Sequence, residues 1–145
     1  RNGRFPNINT VVDAYNLISA KTLFSIGAHD VSKINGDIRF IVTRGTEKYT
    51  PLGSENKVTV NTNEYAAVDD EKIICYLDQK QCQETKITKY TKEFIVYVQG
   101  NETTSQEDVI NVLDEVIDTI KKFCGGDSTI IQEETETEKS VSMMQ

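Results

Sequence analysis

Phe94-Ile95-Val96-Tyr97-Val98 is a run of β-branched and aromatic residues with no polar residue alternating among them. A strand of that composition calls for cover on both faces, which predicts a central position in a layered sheet. Just downstream, Val109, Val112, Leu113, Val116, Ile117, Ile120 and Phe123 recur at helical spacing across residues 105–124. Ser105 with Asp108 resembles a capping box, Lys121 and Lys122 suit the negative end of a helix dipole, and Gly125-Gly126 can end the helix. A strand followed by an amphipathic helix gives one sheet-and-helix layer.

Upstream, residues 10–20 lack glycine and proline and place Val11, Val12, Tyr15 and Ile18 at helical spacing, with Asn9 as a candidate cap. Ile38-Arg39-Phe40-Ile41-Val42 follows the turn pair Asn35-Gly36 and reads as a strand. Pro51 and Gly53 mark a loop. The runs at 65–68 and 72–77, joined by Asp69-Asp70-Glu71, predict a hairpin. Strands outnumber helices without regular alternation, so the expected class is α+β, not doubly wound.

The chain has 145 residues, 37% hydrophobic and 27% charged. That suits one globular domain, expected over residues 1–131, with an acidic tail at 132–145 lacking regular structure. The chain begins at Arg1, not Met, so an N-terminal part is expected to be missing. No apolar run reaches membrane-spanning length and no secretory signal opens the chain, so no membrane partner and a cytoplasmic location are expected. Cys75, Cys82 and Cys124 are odd in number and lack CxxC spacing, which argues against a disulfide framework or zinc, and no metal or other cofactor is expected. Of the formal net charge of −7, residues 127–145 supply five acids against one lysine. A chain this acidic does not bind nucleic acid through a broad basic surface, so any RNA contact is expected to be local.

Five stretches, in order, resemble one family. Ile8-Asn9-Thr10-Val11-Val12-Asp13-Ala14-Tyr15-Asn16 is similar to an I-N-x-V-V-D-x-x-N signature; Ala28, Asp30, Lys33 and Ile34 fit A-x-D-x-x-K-[IL]; Glu47-Lys48 leads to Leu52 as in G-E-K-x-x-x-L. Glu64-Tyr65-Ala66-Ala67-Val68-Asp69 resembles an acidic-x-V-x-A-D strand, and Thr85-Lys86-Ile87-Thr88 with Thr91 fits T-x-[VI]-T-x-x-T. These are motifs of the editing domain, the B three/four type, of the phenylalanyl-tRNA synthetase beta subunit, in a free-standing form. The resemblance implies a layered β-sheet fold with helices packed on one side. It also implies a trans-acting protein that hydrolyses the ester of a mischarged tRNA, with the tRNA 3′ acceptor end and its amino acid as partners. Nothing resembles the synthetase's adenylate-forming core. Two departures stand out: the family histidine falls where this chain has Gly27, with His29 at the aromatic position, and the commonly acidic position is Gln83, after Asp78-Gln79-Lys80-Gln81-Cys82. A different amino acid, or no catalysis at all, is therefore expected.

Ester hydrolysis needs a positioned water and donors aimed at the developing oxyanion. His29, the one histidine, is a candidate base or water-orienting donor, against the plainer reading of a structural hydrogen bond beside Asp30. Gln81, Gln83, Glu84 and Thr85 precede a strand, where loops present functional groups, and Gln83, Glu84 and Thr85 join His29 as catalytic candidates. Asn9, Asp13 and Asn16 share a helix face and are substrate-binding candidates, or else tie down local backbone. Arg39 within an apolar strand needs an anion, with Glu64 and Asp69 as candidate partners, and Arg39 and Glu64 complete the substrate set. Lys80, Lys86 and Lys89, with Lys92 and Tyr90 nearby, are candidates for RNA phosphates or form a solvated edge. Cys82 has no second histidine to activate it as a nucleophile. Two other functions fit the sequence: a non-catalytic module for tRNA or an amino-acid-like ligand, and an acidic protein-interaction domain.

Overall fold

The computed structural model of the protein describes residues 8–77, 80–134 and 139–144. Along the chain run α1 (Ile8–Thr22), β1 (Ser25–Asp30), a 3-10 turn (Val31–Lys33), β2 (Arg39–Arg44), β3 (Lys48–Tyr49), β4 (Val58–Thr59) and β5 (Thr62–Val68). They are followed by β6 (Ile73–Tyr76), β7 (Lys80–Gln81), β8 (Phe94–Gln99), α2 (Gln106–Cys124), β9 (Thr129–Glu134) and β10 (Lys139–Met144). These elements gather into two compact units: His29–Ile87 forms one, and the chain on either side of it forms the other. The division arises because the strands between residues 39 and 81 hydrogen-bond among themselves, while β8 draws its sheet partners from outside that segment.

In the unit built from the two ends of the chain, the sheet order is β1-β8-β10-β9. β8 therefore has a neighbour on each side, as its composition predicted. Phe94, Val96 and Val98 are buried while Ile95 and Tyr97 are half-buried, so one face is fully covered and the other partly. α2 packs against α1, β8 and β10. Its apolar stripe, Val109, Val112, Leu113, Val116, Ile117 and Ile120, is buried. Its start is a complete capping box: Ser105 Oγ accepts from Asp108 N at 3.0 Å and Asp108 Oδ2 accepts from Ser105 N at 3.0 Å. α1 buries Val11, Tyr15 and Ile18. It begins at Ile8, which places Asn9 inside the first turn and not at the cap, because Ile8 continues the apolar spacing of Val11 and Tyr15 by one step.

Of the acidic segment at 132–145, residues 132–134 and 139–144 are strand, and residues 135–138 and 145 lie outside the described residues. β9 and β10 pair antiparallel, with Lys139 opposite Glu134 and Val141 opposite Gln132, and β10 continues onto β8 with Val141 opposite Val98. The physical reason is backbone satisfaction: an interior strand like β8 needs a ladder on both edges, and β10 supplies one.

The unit His29–Ile87 contains a four-stranded sheet of order β2-β5-β6-β7, antiparallel at every pairing, and the small β3-β4 ribbon. The β5–β6 hairpin turns through Asp69-Asp70-Glu71 as expected. Ala66, Ala67, Ile73, Ile74, Tyr76, Tyr49, Val60 and Cys82 form its buried interior. Gly36 precedes β2 with φ +75°, a backbone conformation that favours glycine, and its bare Cα leaves room for the Asp70 carboxylate. No helix among the described residues is long and apolar enough to cross a membrane.

Candidate functional site

Residues 81–86 are held by backbone on two sides. Cys82 N donates to Ile74 O of β6 at 2.9 Å, while Leu52 N donates to Gln81 O at 2.9 Å and Gln83 N to Thr50 O at 2.8 Å. Pro51 and Cys82 bridge antiparallel between these bonds. The Gln83 side chain extends the ladder, its Oε1 accepting from Gly53 N at 2.8 Å. Asp30 N donates to Thr85 O at 2.8 Å and fixes the far end. The segment is therefore a rigid ledge, which is what presentation of polar groups to a ligand requires.

Inside the ledge lies a buried polar chain. His29 Nδ1 and Thr85 Oγ1 share a hydrogen bond of 2.7 Å, and Thr85 Oγ1 is 3.1 Å from Cys82 Sγ. His29 is 2% exposed, and Thr85 and Cys82 are fully buried. Burial lowers the imidazole pKa to about 4, so His29 is neutral at pH 7. Burial likewise raises the Cys82 thiol, outweighing the hydrogen bond from Thr85 that lowers it, which makes a thiolate nucleophile unfavourable. A neutral, enclosed imidazole can orient Thr85, but it is not presented to solvent as a base. Asp30, also buried, accepts from Ser32 N at 2.9 Å and Ser32 Oγ at 2.6 Å and lies 3.8 Å from Lys33 Nζ.

On the surface of the same ledge, Glu84 is exposed and Gln81 and Gln83 are half-buried. Lys80 is exposed with its Nζ 5.5 Å from the Tyr76 ring centroid, and Lys86 is exposed, its carbonyl 3.5 Å from Lys33 Nζ. Asp78 and Gln79, the first residues of the segment that departs from the family pattern, lie outside the described residues.

Arg39 finds its anion one residue away from the position expected. Its guanidinium meets the Asp70 carboxylate at 2.7 Å and the Asp69 carbonyl at 3.1 Å, not the carboxylates of Asp69 or Glu64. The reason is that the Asp69 carboxylate is already occupied: it accepts from the backbone N of Asn35, Glu71 and Lys72 at 2.8–2.9 Å and from Lys72 Nζ at 2.6 Å. Burial alone would raise the Asp69 pKa; these four donors overcome it and hold the carboxyl at about 2. Glu64 is half-buried, its Oε1 accepting from Asn61 Nδ2 at 3.3 Å and its Oε2 buried without a hydrogen-bond partner. A further carboxylate that sequence reasoning did not single out for a structural task, Glu47, closes the loop after β2 by accepting from the N–H groups of Arg44, Gly45 and Thr46 at 3.0–3.2 Å. Its own backbone N–H, first, and then those of Arg44, Thr46 and Gly45 lower its pKa. The signal for it was the glycine at 45, whose φ of +85° turns successive N–H groups toward one point.

In the other unit, Asp13 and Asn16 are exposed on α1, with Asn9 in its first turn, and Lys89 is exposed beside Tyr90. Among the described residues, no group of three or more His, Cys, Asp and Glu side chains is arranged to hold a metal ion.

Comparison with known proteins supplies the kinship. A stretch equal to 50% of the chain is 42% identical, over 74 residues, to the phenylalanine–tRNA ligase beta subunit of Mycoplasmoides gallisepticum, of which it spans only 9%. The fold matches the crystal structure of an N-terminal fragment of the phenylalanyl-tRNA synthetase beta subunit from Pyrococcus horikoshii, with a TM-score of 0.69 and 14% identity, over 94% of this chain and 59% of that one. The profile of the B3/4 domain matches residues 1–125, more than half of the chain, and the chain therefore belongs to the B3/4 domain family.

Proposed function

We propose that this chain receives the 3′ end of a charged tRNA in the cytoplasm and hydrolyses the ester of a wrong amino acid, acting on tRNA charged by another polypeptide. The observation that carries the reading is the rigid ledge at residues 81–86 within a chain of the synthetase-related B3/4 family. In the reaction a water oxygen attacks the ester carbonyl carbon and the bond to the ribose oxygen breaks. The ribose oxygen takes one proton of that water, the other passes to solvent, and the amino acid leaves as a carboxylate. The ester is already activated, so a covalent nucleophile is unnecessary, and the raised pKa of Cys82 fits that economy. Gln83 and Glu84 are the side chains assigned to touch substrate. His29 and Thr85 are positioning residues that hold the ledge from beneath.

A second reading keeps the binding and drops the hydrolysis: the enclosure of His29 leaves the ledge without a histidine base, which suits a module that only holds the aminoacyl end. A panel of tRNAs, each charged with a different amino acid, separates the two when ester loss is scored at neutral pH. The expected result is release of at least one amino acid well above the buffer rate, reduced about tenfold in kcat/KM by Gln83→Ala with no loss of folding. If every charged tRNA keeps its ester while still binding, the non-catalytic module replaces the enzyme.

A further inference from the structure

The turn at residues 88–91 displays one aromatic ring to solvent. Tyr90 is 78% exposed. Its backbone is not loose: Thr91 N donates to Thr88 O at 3.0 Å, Thr88 N to Thr91 Oγ1 at 2.9 Å and Tyr90 N to Thr88 Oγ1 at 3.2 Å. These three bonds give the ring a fixed base. Lys89 holds its ammonium 5.1 Å from the ring centroid, and Lys92 is exposed two residues further on.

The electrostatic setting narrows the partner. The chain carries a formal net charge of −7, so a polyanion is repelled by the molecule as a whole and approaches only where cations are displayed. Lys89 and Lys92 are such a place, but Glu93 follows them directly and weakens the field. Charge alone cannot therefore hold a nucleic acid here; the ring must contribute. An open aromatic face next to a cation matches a nucleobase next to its phosphate. Paired bases keep their faces inside the stack, so the match is to an unpaired nucleotide.

We propose that Tyr90 is a stacking platform for an unpaired base of single-stranded RNA, with Lys89 and Lys92 meeting the adjacent phosphates. The inference rests on the aminoacyl-tRNA reading and deepens it: this turn holds an unpaired stretch of the RNA, separately from the ester chemistry.

The absence of tryptophan from the sequence makes the test direct. In Tyr90→Trp the introduced indole is the sole tryptophan, and a stacked base quenches its fluorescence. Titration with a short unpaired RNA carrying the tRNA 3′ sequence, at low salt, is expected to quench that emission. In parallel, fluorescence anisotropy of the labelled RNA is expected to show affinity about tenfold weaker for Tyr90→Ala. Two phosphate contacts on a single strand give a slope of log affinity against log salt of about −1.4. RNA that binds without quenching, and equally well to Tyr90→Ala, overturns the platform and leaves the deacylase reading standing. Charged tRNA supplies the other arm: Tyr90→Ala is expected to raise KM with kcat unchanged, and an unchanged KM also overturns the proposal. Ester hydrolysis absent from wild type, with quenching still present, instead removes the deacylase reading and keeps the RNA grip. Quenching by a peptide but not by RNA would assign the turn to a protein partner and end the proposal.

Discussion

His29 shows how burial rewrites a residue's chemistry. An imidazole that would titrate at 6.5 in water is held to about 4 because its charged form would lose hydration. Its folded pKa lies below its unfolded one, so the unfolded chain takes up the proton first as the solution is acidified. The associated stability is whole above pH 6.5 and declines as pH falls toward 4, by about 3 kcal/mol in all. Since the chain has one histidine, its ring protons form a single set in a proton spectrum. They are expected not to shift between pH 8 and about 5.5, and the pH–rate profile of any deacylation is expected to show no inflection near 6.5. A ring that titrates near 6.5 in the folded protein would mean that the His29 to Thr85 arrangement is open to water. None of this is legible in the sequence, where one histidine beside one aspartate has no periodicity to reveal its depth.

At the scale of elements, what was legible is what repeats. Val96 and its neighbours announced β8, and the stripe from Val109 to Ile120 announced α2, because each pattern is a count of apolar residues at a fixed spacing. The turn Asp69-Asp70-Glu71 shows the limit: the hairpin was readable, but which acid faces inward is settled by the turn, which leads Asp69 under the backbone of Asn35, Glu71 and Lys72 and leaves Asp70 for Arg39. The β9–β10 pair was hidden for a related reason, since a strand recruited by a neighbour's open edge need not carry apolar alternation. The Asp69 anchor is testable. Its carboxyl titrates at about 2 when folded, below the ordinary 3.8, so its contribution is present above pH 3.8 and is lost as pH falls toward 2. Asp69→Asn is expected to cost about 2 kcal/mol at pH 7, read from the urea midpoint, because Lys72 Nζ, only 18% exposed at the side chain, loses its charge partner. The difference from wild type should close between pH 3.8 and 2; a gap that persists at pH 2 would point to lost packing as the cause.

On the whole-molecule scale, the candidate site draws on residues far apart in sequence, and this is why family motifs pointed to it when composition could not. Residues 29–30 and 81–86 become neighbours only through the β5–β6 hairpin and the loop at 50–53. The same fact has a further consequence. His29 opens its unit and Ile87 closes it, and the bonds from His29 to Thr85 and from Asp30 to Thr85 fasten those two points side by side. A segment whose entrance and exit touch is portable: it can be cut out or rejoined head to tail without stretching the chain. Residues 29–87 expressed alone are expected to give dispersed amide resonances and a cooperative melt. A featureless spectrum would show that the knot at Thr85 does not suffice to close the segment.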